Sequence, residues 1–400
     1  MKRIKILILF VSMFLSFFLV SGSIAVAEDG VTDDEILIGT TTDISGPLAF
    51  MGQRHTRGAL MYFRYINDQG GIHGRKIKYL IEDDAFQPPR TVQAAKKLIT
   101  KDKVFCMTMN LGAAGIFAIL PLIENYDVPM LPTGTGNEAL AIPPRKNVFV
   151  ADTSYRVQGD LALKYVKDVL KENNPKIACI YQEDVTGVQY LNGVKQGAAK
   201  YFGIKDFPVL SYKRGAVDFS SHVAKCKMVG ATHVFLHVNI REPAAILNEA
   251  QRIQYSPVYF CNGSSGTNKV VELCGDSVNA SKGFYLVSHG GDIWDGMNDG
   301  IKLWRKCVLK YDLKKNIYDG LACWGFQSAW VLCEVLKRAG RDLTRENFIK
   351  AAETMDNYET GLMVPVTWRS GKRLGGDYSR IWKADAAKNK WVLISDWFKE

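Results

Sequence analysis

No cysteine precedes Cys106, and none of the eight stands in a C-x-x-C pair. The first absence excludes a lipid-anchored cysteine at a processed N-terminus, and the second argues against a thiolate metal site. Low-complexity linkers are missing, so nothing marks a tethered array. Past residue 27 no apolar run approaches the roughly 18 residues of a membrane span. A nucleophile–base arrangement is also missing. Gly263-Ser264-Ser265-Gly266 is not G-x-S-x-G, and no His/Asp partner can be assigned to it. His233 and His237 are four apart on an extended pattern, about 13 Å from each other and too far to share a metal. Gly134-Thr135-Gly136-Asn137-Glu138-Ala139 fits G-x-G-x-x-A, but after the fourth strand rather than in a first βα turn. Enzymatic activity, a cofactor and a metal are therefore not expected.

What is present begins with an export signal over residues 1–27. Lys2, Arg3 and Lys5 form a charged head, Ile6 to Val20 an apolar run, and Ala25-Val26-Ala27 a small-x-small cleavage site. An uncleaved anchor is the alternative. The segment holds three of the 51 basic residues and none of the 41 acidic ones, so its removal lowers the net charge from +10 to about +7. That charge is scattered rather than run together, which fits solubility and disfavours nucleic-acid binding. Export places the chain in an oxidising periplasm, where cysteines can pair. Cys261 and Cys274 are the best local candidates. Cys323 and Cys333 share a helical pattern about 15 Å apart and cannot bridge each other, but either could meet Cys307. Cys106 and Cys179 lie in apolar strands and read as buried thiols.

Short β-rich runs alternate with helical patterns along the chain. Strands are predicted at Ile36–Thr41, Lys76–Ile81, Val104–Met109, Val128–Leu131, Lys176–Tyr181, Pro208–Tyr212, His233–Leu236 and Pro257–Phe260. Helices are predicted at 53–68, 89–101, 114–125, 155–172, 187–202, 219–229 and 242–254. This is the pattern of α/β folds with parallel central sheets and crossover helices. The pattern restarts near Val148–Arg156, which reads as a hinge between two Rossmann-like lobes. Region 283–362 reads as mostly helical, and the tail as strands again.

Several stretches carry a family resemblance: ILIGTTTDISGPLAFMGQ, INDQGGIHGRKIKYLIEDDAFQPP, VPMLPTGTGNEAL, VQGDLALKYV, FSSHVAKCKMVGATHVFL and GLMVPVTWRSGKRLGGDYSRIWKADAAKNKW. In order and spacing the chain resembles the type I periplasmic solute-binding proteins of ATP-binding-cassette importers, in the branched-chain amino acid (Leu/Ile/Val) receptor family. The resemblance implies two lobes joined by a three-crossover hinge, 28–153 with 287–378 against 154–286 with 379–400. It implies a small carboxylate ligand in the cleft, delivery to permease and ATPase subunits in the inner membrane, and a monomer. A periplasmic sensor feeding a chemoreceptor or kinase is the alternative.

A cleft of this kind is built from strand ends and helix starts. Lobe 1 offers Phe50 and Met51, then Asn110, Gly112 and Ala113, then Thr133, Gly134 and Thr135. Tyr155 and Arg156 sit at the first crossing, where Arg156 could neutralise a carboxylate. The resemblance carries ligand contact to Ala113, where the family usually has a serine, and to Thr186, Asn239 and Ser265 on lobe 2. The family's ammonium-binding carboxylate falls near Ser265 and is missing. A buried ammonium without a partner is costly, so a small organic anion lacking an α-amino group is expected.

Overall fold

The structure, a computed structural model, describes residues 28–400; the export signal expected over 1–27 lies outside them. Strand β1 (Glu35–Thr42) is buried on both faces, as EILIGTTT dictates for the middle of a parallel sheet. Helix α1 (Ala49–Asp68) buries His55, Ala59, Tyr62, Phe63 and Ile66, one stripe at helical spacing. After β2 (Lys76–Asp83) comes α2 (Pro88–Lys96), prolonged by a π turn at Lys97–Lys101. Then follow β3 (Cys106–Met107), α3 (Ala113–Asn125) and β4 (Val150–Thr153). β1 pairs in parallel with β2 and β3.

The strand expected at Val128–Leu131 is reduced to parallel bridges of Met130 to Met107 and Val148. Pro129 and Pro132 have no N–H to give, so only Met130 and Leu131 donate to the flanking strands there. The strand expected at Val104–Met109 is regular only over Cys106–Met107, although Phe105, Thr108 and Leu111 also donate to β1.

The chain then enters a second sheet. Helix α4 (Tyr155–Asp168) leads to β5 (Ile177–Gln182), α5 (Val185–Phe202), β6 (Val209–Tyr212), α6 (Ser220–Met228), β7 (His233–His237), α7 (Glu242–Arg252) and β8 (Val258–Asn262). Short helices α8 (Asn268–Cys274) and α9 (Ser277–Ala280) precede β9 (Gly283–Ser288). β9 corrects the helical reading of 283–362: GFYLVS is fully buried and extends the parallel sheet beyond β8. Helices α10 (Asp299–Tyr311), α11 (Gly320–Ala339) and α12 (Arg345–Ala352) return to the first core, and β10 (Leu374–Gly376) pairs with β4. Strands β11 (Tyr378–Asp385), β12 (Lys390–Leu393) and β13 (Phe398–Lys399) finish on the second sheet, β11 antiparallel to β9. The second sheet runs β6-β5-β7-β8-β9-β11-β12.

The buried side chains divide in the same way. One set of clusters joins β1, α1, α3, α10 and α11, and another joins β5, β7, β8, β9, β11 and α4. All eight cysteines are free and buried. The Cys261–Cys274 pairing and a bridge from Cys307 to Cys323 or Cys333 are therefore corrected. These thiols pack as small apolar groups, and burial pushes Cys274 and Cys307 up to about 12.

Candidate functional site

The strand-end loops of the first lobe are fixed by their own backbone bonds. Asp43 is fully buried, and its carboxylate accepts from Gly46 N at 2.5 Å and Leu48 N at 2.7 Å. α1 consequently starts four residues earlier than the helical pattern suggested. Phe50 and Met51 stand on its first turn rather than in the loop, Phe50 39% exposed. Asn110 is buried, with its Nδ2 donating to Thr41 Oγ1 at 2.8 Å and its Oδ1 without a partner among the described residues. Gly112 has φ +93°, and a Cβ there would lie 2.4 Å from the Phe86 ring, so glycine is required. Ala113 is the first residue of α3 and is buried. Gly134 N donates to Asn110 O at 3.0 Å, and Thr133 Oγ1 to Thr135 O at 3.0 Å. The 110–113 and 133–135 loops are thus one joined wall.

On the second lobe Asp184 caps α5. Its Oδ1 accepts from Thr186 N at 3.0 Å, Gly187 N at 2.9 Å and Thr186 Oγ1 at 2.7 Å. Burial alone would push Asp184 up, but these donors outweigh it and hold the carboxyl below its usual range. Asn239 Nδ2 donates to Gln182 Oε1 at 3.3 Å, and Ser265 Oγ donates to Asn239 O at 2.6 Å. Ser265 and Thr186 therefore spend their hydroxyls on the loops that hold them. Tyr155 opens α4, meets the His237 ring edge-on at 5.5 Å, and has its hydroxyl beside Thr135 of one lobe and Ser264 of the other.

The two walls touch. Gln189 Nε2 donates to Asn137 Oδ1 at 2.7 Å, and the Arg214 guanidinium lies 4.8 Å from the Phe86 ring centroid. Beside these contacts is a groove of about 410 Å³ with Phe117, Asn137 and Ala139 on one side and Asp184, Val188 and Gln189 on the other. Arg156 does not face a ligand: it pairs with Glu138 at 3.0 Å and Glu400 at 2.7 Å, which corrects its expected role. Glu183, another conceivable carboxylate, pairs with Lys213 at 2.9 Å.

Sequence reasoning missed Asp152, His55, His289 and Trp324, which gather beneath Tyr155 where the lobes join. The one local signal is for Asp152, a buried charge directly after the apolar run Val148–Ala151. The others come from helices and a crossing far apart in the chain, and no local pattern marks them.

Comparison with known proteins bears on this arrangement. A family model described as periplasmic binding protein matches residues 35–388. An amino acid binding protein of Pseudomonas aeruginosa is 28% identical over 204 residues, covering 50% of this chain and 53% of that protein. A leucine-, isoleucine-, valine-, threonine- and alanine-binding protein of the same organism is 24% identical over 252 residues, covering 63% of this chain and 66% of that one. The matched stretches thus span between half and two thirds of these relatives. Among solved structures, a fatty acid ABC transporter substrate-binding protein from Thermomonospora curvata superposes with TM-score 0.80 at 22% identity, over 94% of this chain and 95% of that one. A branched-chain amino acid ABC transporter protein from Thermus thermophilus with bound valine gives TM-score 0.82 at 18% identity, over 92% and 98%. At these identities the structural likeness speaks for the fold.

Proposed function

The chain belongs to the periplasmic binding protein family, a family of solute-binding proteins and not enzymes, and we propose that it is the extracytoplasmic substrate-binding protein of an ATP-binding-cassette importer. It clamps a small carboxylate-bearing ligand, amino acid-like or an aromatic or other organic acid, between its lobes. It then presents that ligand to a permease and its ATPase subunits. We read it as a periplasmic monomer of two lobes, 28–153 with 287–378 and 154–286 with 379–400, a division supported by the separate buried cores.

The observation that carries the reading is the pair of facing walls. Small-residue loops at the ends of β3 and of the Met130 segment stand opposite the starts of α4 and α5, with Gln189 and Arg214 reaching across. The backbone N–H groups of Gly112 and Ala113, at the start of α3, have no acceptor among the described residues and suit a carboxylate. Asn110, Gly112, Ala113, Thr133, Gly134 and Thr135 are proposed to hold it from one side. Tyr155, Thr186, Asn239 and Ser265 shape the other, the last two through the loops they pin. Phe50 and Met51 are proposed to flank the apolar body of the ligand.

Native mass spectrometry of the protein purified without unfolding tests this, followed by calorimetric titration. A co-purified small acid that rebinds to emptied protein is expected. Failure of every amino acid, aryl carboxylate and fatty acid to bind would overturn the reading. Tight binding of leucine or valine, with no binding of aryl carboxylates, would remove the organic-acid arm.

A further inference from the structure

Four side chains at the base of the cleft are used by none of the contacts that join the lobes. Asp152 is 4% exposed. Its Oδ1 accepts from Trp324 Nε1 at 3.1 Å and lies 3.4 Å from His289 Nε2. Its Oδ2 is buried and has no partner among the described residues, and the same is true of His289 Nδ1 and both ring nitrogens of His55. His55 stacks on Trp324 with ring centroids 4.2 Å apart.

This cluster is built rather than incidental. α1 and α11 approach so closely that a Cβ on Gly58 would lie 1.7 Å from Ala322 O, and one on Gly325 1.8 Å from His55 O. That approach lays His55 on Trp324, and Trp324 on Asp152. β4 and the crossing after β9 supply Asp152 and His289 side by side. Tyr155, within the Coulombic reach of Asp152, connects the cluster to Thr135 and Ser264.

We infer that Asp152, held by Trp324 and His289, accepts a hydrogen bond from a donor group on the bound carboxylate, an ammonium or a hydroxyl, at the base of the cleft. The inference rests on the reading of a small carboxylate in the same cleft and names its second polar group. Two oxygens with two different fates carry it. Oδ1 is engaged by an indole N–H that fixes the carboxylate's orientation, while Oδ2 is buried and has no donor among the described residues. A buried carboxylate oxygen left without a donor is expensive, and a ligand N–H or O–H removes that cost. The other acidic candidates are spent: Asp184 caps α5, and Glu183 pairs with Lys213. Burial pushes the Asp152 carboxyl up, with His289 and Trp324 pulling it back. Asp152 thus supplies the carboxylate that is missing near Ser265, from the other side of the hinge.

Matched probe pairs test this on the full-length mature protein by calorimetry: 4-hydroxybenzoate against benzoate for the hydroxyl, and L-leucine against 4-methylpentanoate for the ammonium. In at least one pair the donor-bearing member is expected to bind about tenfold tighter or more. Which pair shows the preference distinguishes hydroxyl from ammonium. Asp152→Asn keeps the shape and an acceptor for Trp324. It should shrink that preference to less than about threefold while the donor-free acid changes less than about twofold. His289→Gln, at a partly exposed site, should shrink it in part, and it carries the test alone if Asp152→Asn does not fold. A preference that survives both substitutions in folded protein, or tighter binding of the donor-free members, overturns the inference and leaves the carboxylate reading standing. Methyl esters that bind as well as the free acids, with the Asp152 dependence intact, overturn only the carboxylate reading. No binding by any probe overturns the inference, and the carboxylate reading falls only if the wider set of amino acids, aryl carboxylates and fatty acids fails as well.

Discussion

Buried imidazoles set how this protein responds to acid. His55 is 1% exposed and His237 is 3% exposed, and neither ring has a hydrogen-bond partner among the described residues. Burial lowers His55 to about 3 and, against the pull of Asp184, His237 to about 4. In the unfolded chain both take up a proton near pH 6.5. The unfolded state therefore binds more protons below that pH, and their stabilising contribution is full above about 6.5 and is lost as pH falls toward 4 and 3. At pH 5 the loss is about 2 kcal/mol for each. Urea midpoints measured from pH 8 to 5 should be level to about 6.5 and then decline. His55→Phe, which keeps a stacking ring, should remove roughly half of that decline; an unchanged slope would refute the assignment. The eight buried thiols make a second prediction at this scale. Native protein should resist alkylation, and unreduced protein unfolded in urea should take up eight labels, whereas six or fewer would reveal a disulfide. Residue identity in the site was only half legible. The strand-end positions could be read because Thr, Gly and Asn cluster locally after apolar runs. Asp152, His55, His289 and Trp324 could not, because their meaning comes from a junction of four distant segments.

Helix α1 against helix α11 is the element on which the hinge-side cluster depends. Gly58 and Gly325 lie at their closest approach, where an added methyl would meet backbone oxygen at 1.7 Å and 1.8 Å. Backbone cannot rotate aside as a long side chain can. Gly58→Ala or Gly325→Ala should therefore cost about 3 kcal/mol by forcing the helices apart. The shift should also lift Trp324 from His55 and Asp152, changing indole fluorescence before global unfolding. A loss below about 0.5 kcal/mol with unchanged emission would show that the pair tolerates the separation. The elements themselves were mostly legible: the helical period over 53–68 and the parallel-strand runs of the second lobe stand within a few residues of their observed ends. Two failures have physical causes. Pro129 and Pro132 thin the strand at 128–131. β9 is six residues ahead of a helix-rich region, and only its partners β8 and β11 identify it as sheet.

At the scale of the whole molecule, the contacts across the cleft are those that exist only with the lobes together. Arg214 over Phe86 and Gln189 on Asn137 join groups whose own lobes are otherwise complete. Removing one should leave each lobe's core intact and shift the balance between open and closed forms. An exposed cation–π contact is worth about 0.5–1 kcal/mol, so Arg214→Ala should weaken ligand binding about two- to fivefold. The effect should fall on the dissociation rate, because the contact forms after encounter. Arg214 also lies 3.4 Å from Asp184, so its removal alone could act by loosening the α5 cap. Phe86→Leu separates the two: it keeps that ion pair and removes the ring. If closure is the cause, the two single variants and the double variant should all lose the same factor, since one interaction is deleted each time. If the Arg214 effect persists undiminished in a Phe86→Leu background, the cap and not the clasp is responsible. Unfolding midpoints within about 0.5 kcal/mol of the parent are expected throughout, as for surface substitutions. Stopped-flow release of a bound probe measures the outcome directly. A release rate indifferent to all three variants would mean that the lobes are held shut by the ligand alone.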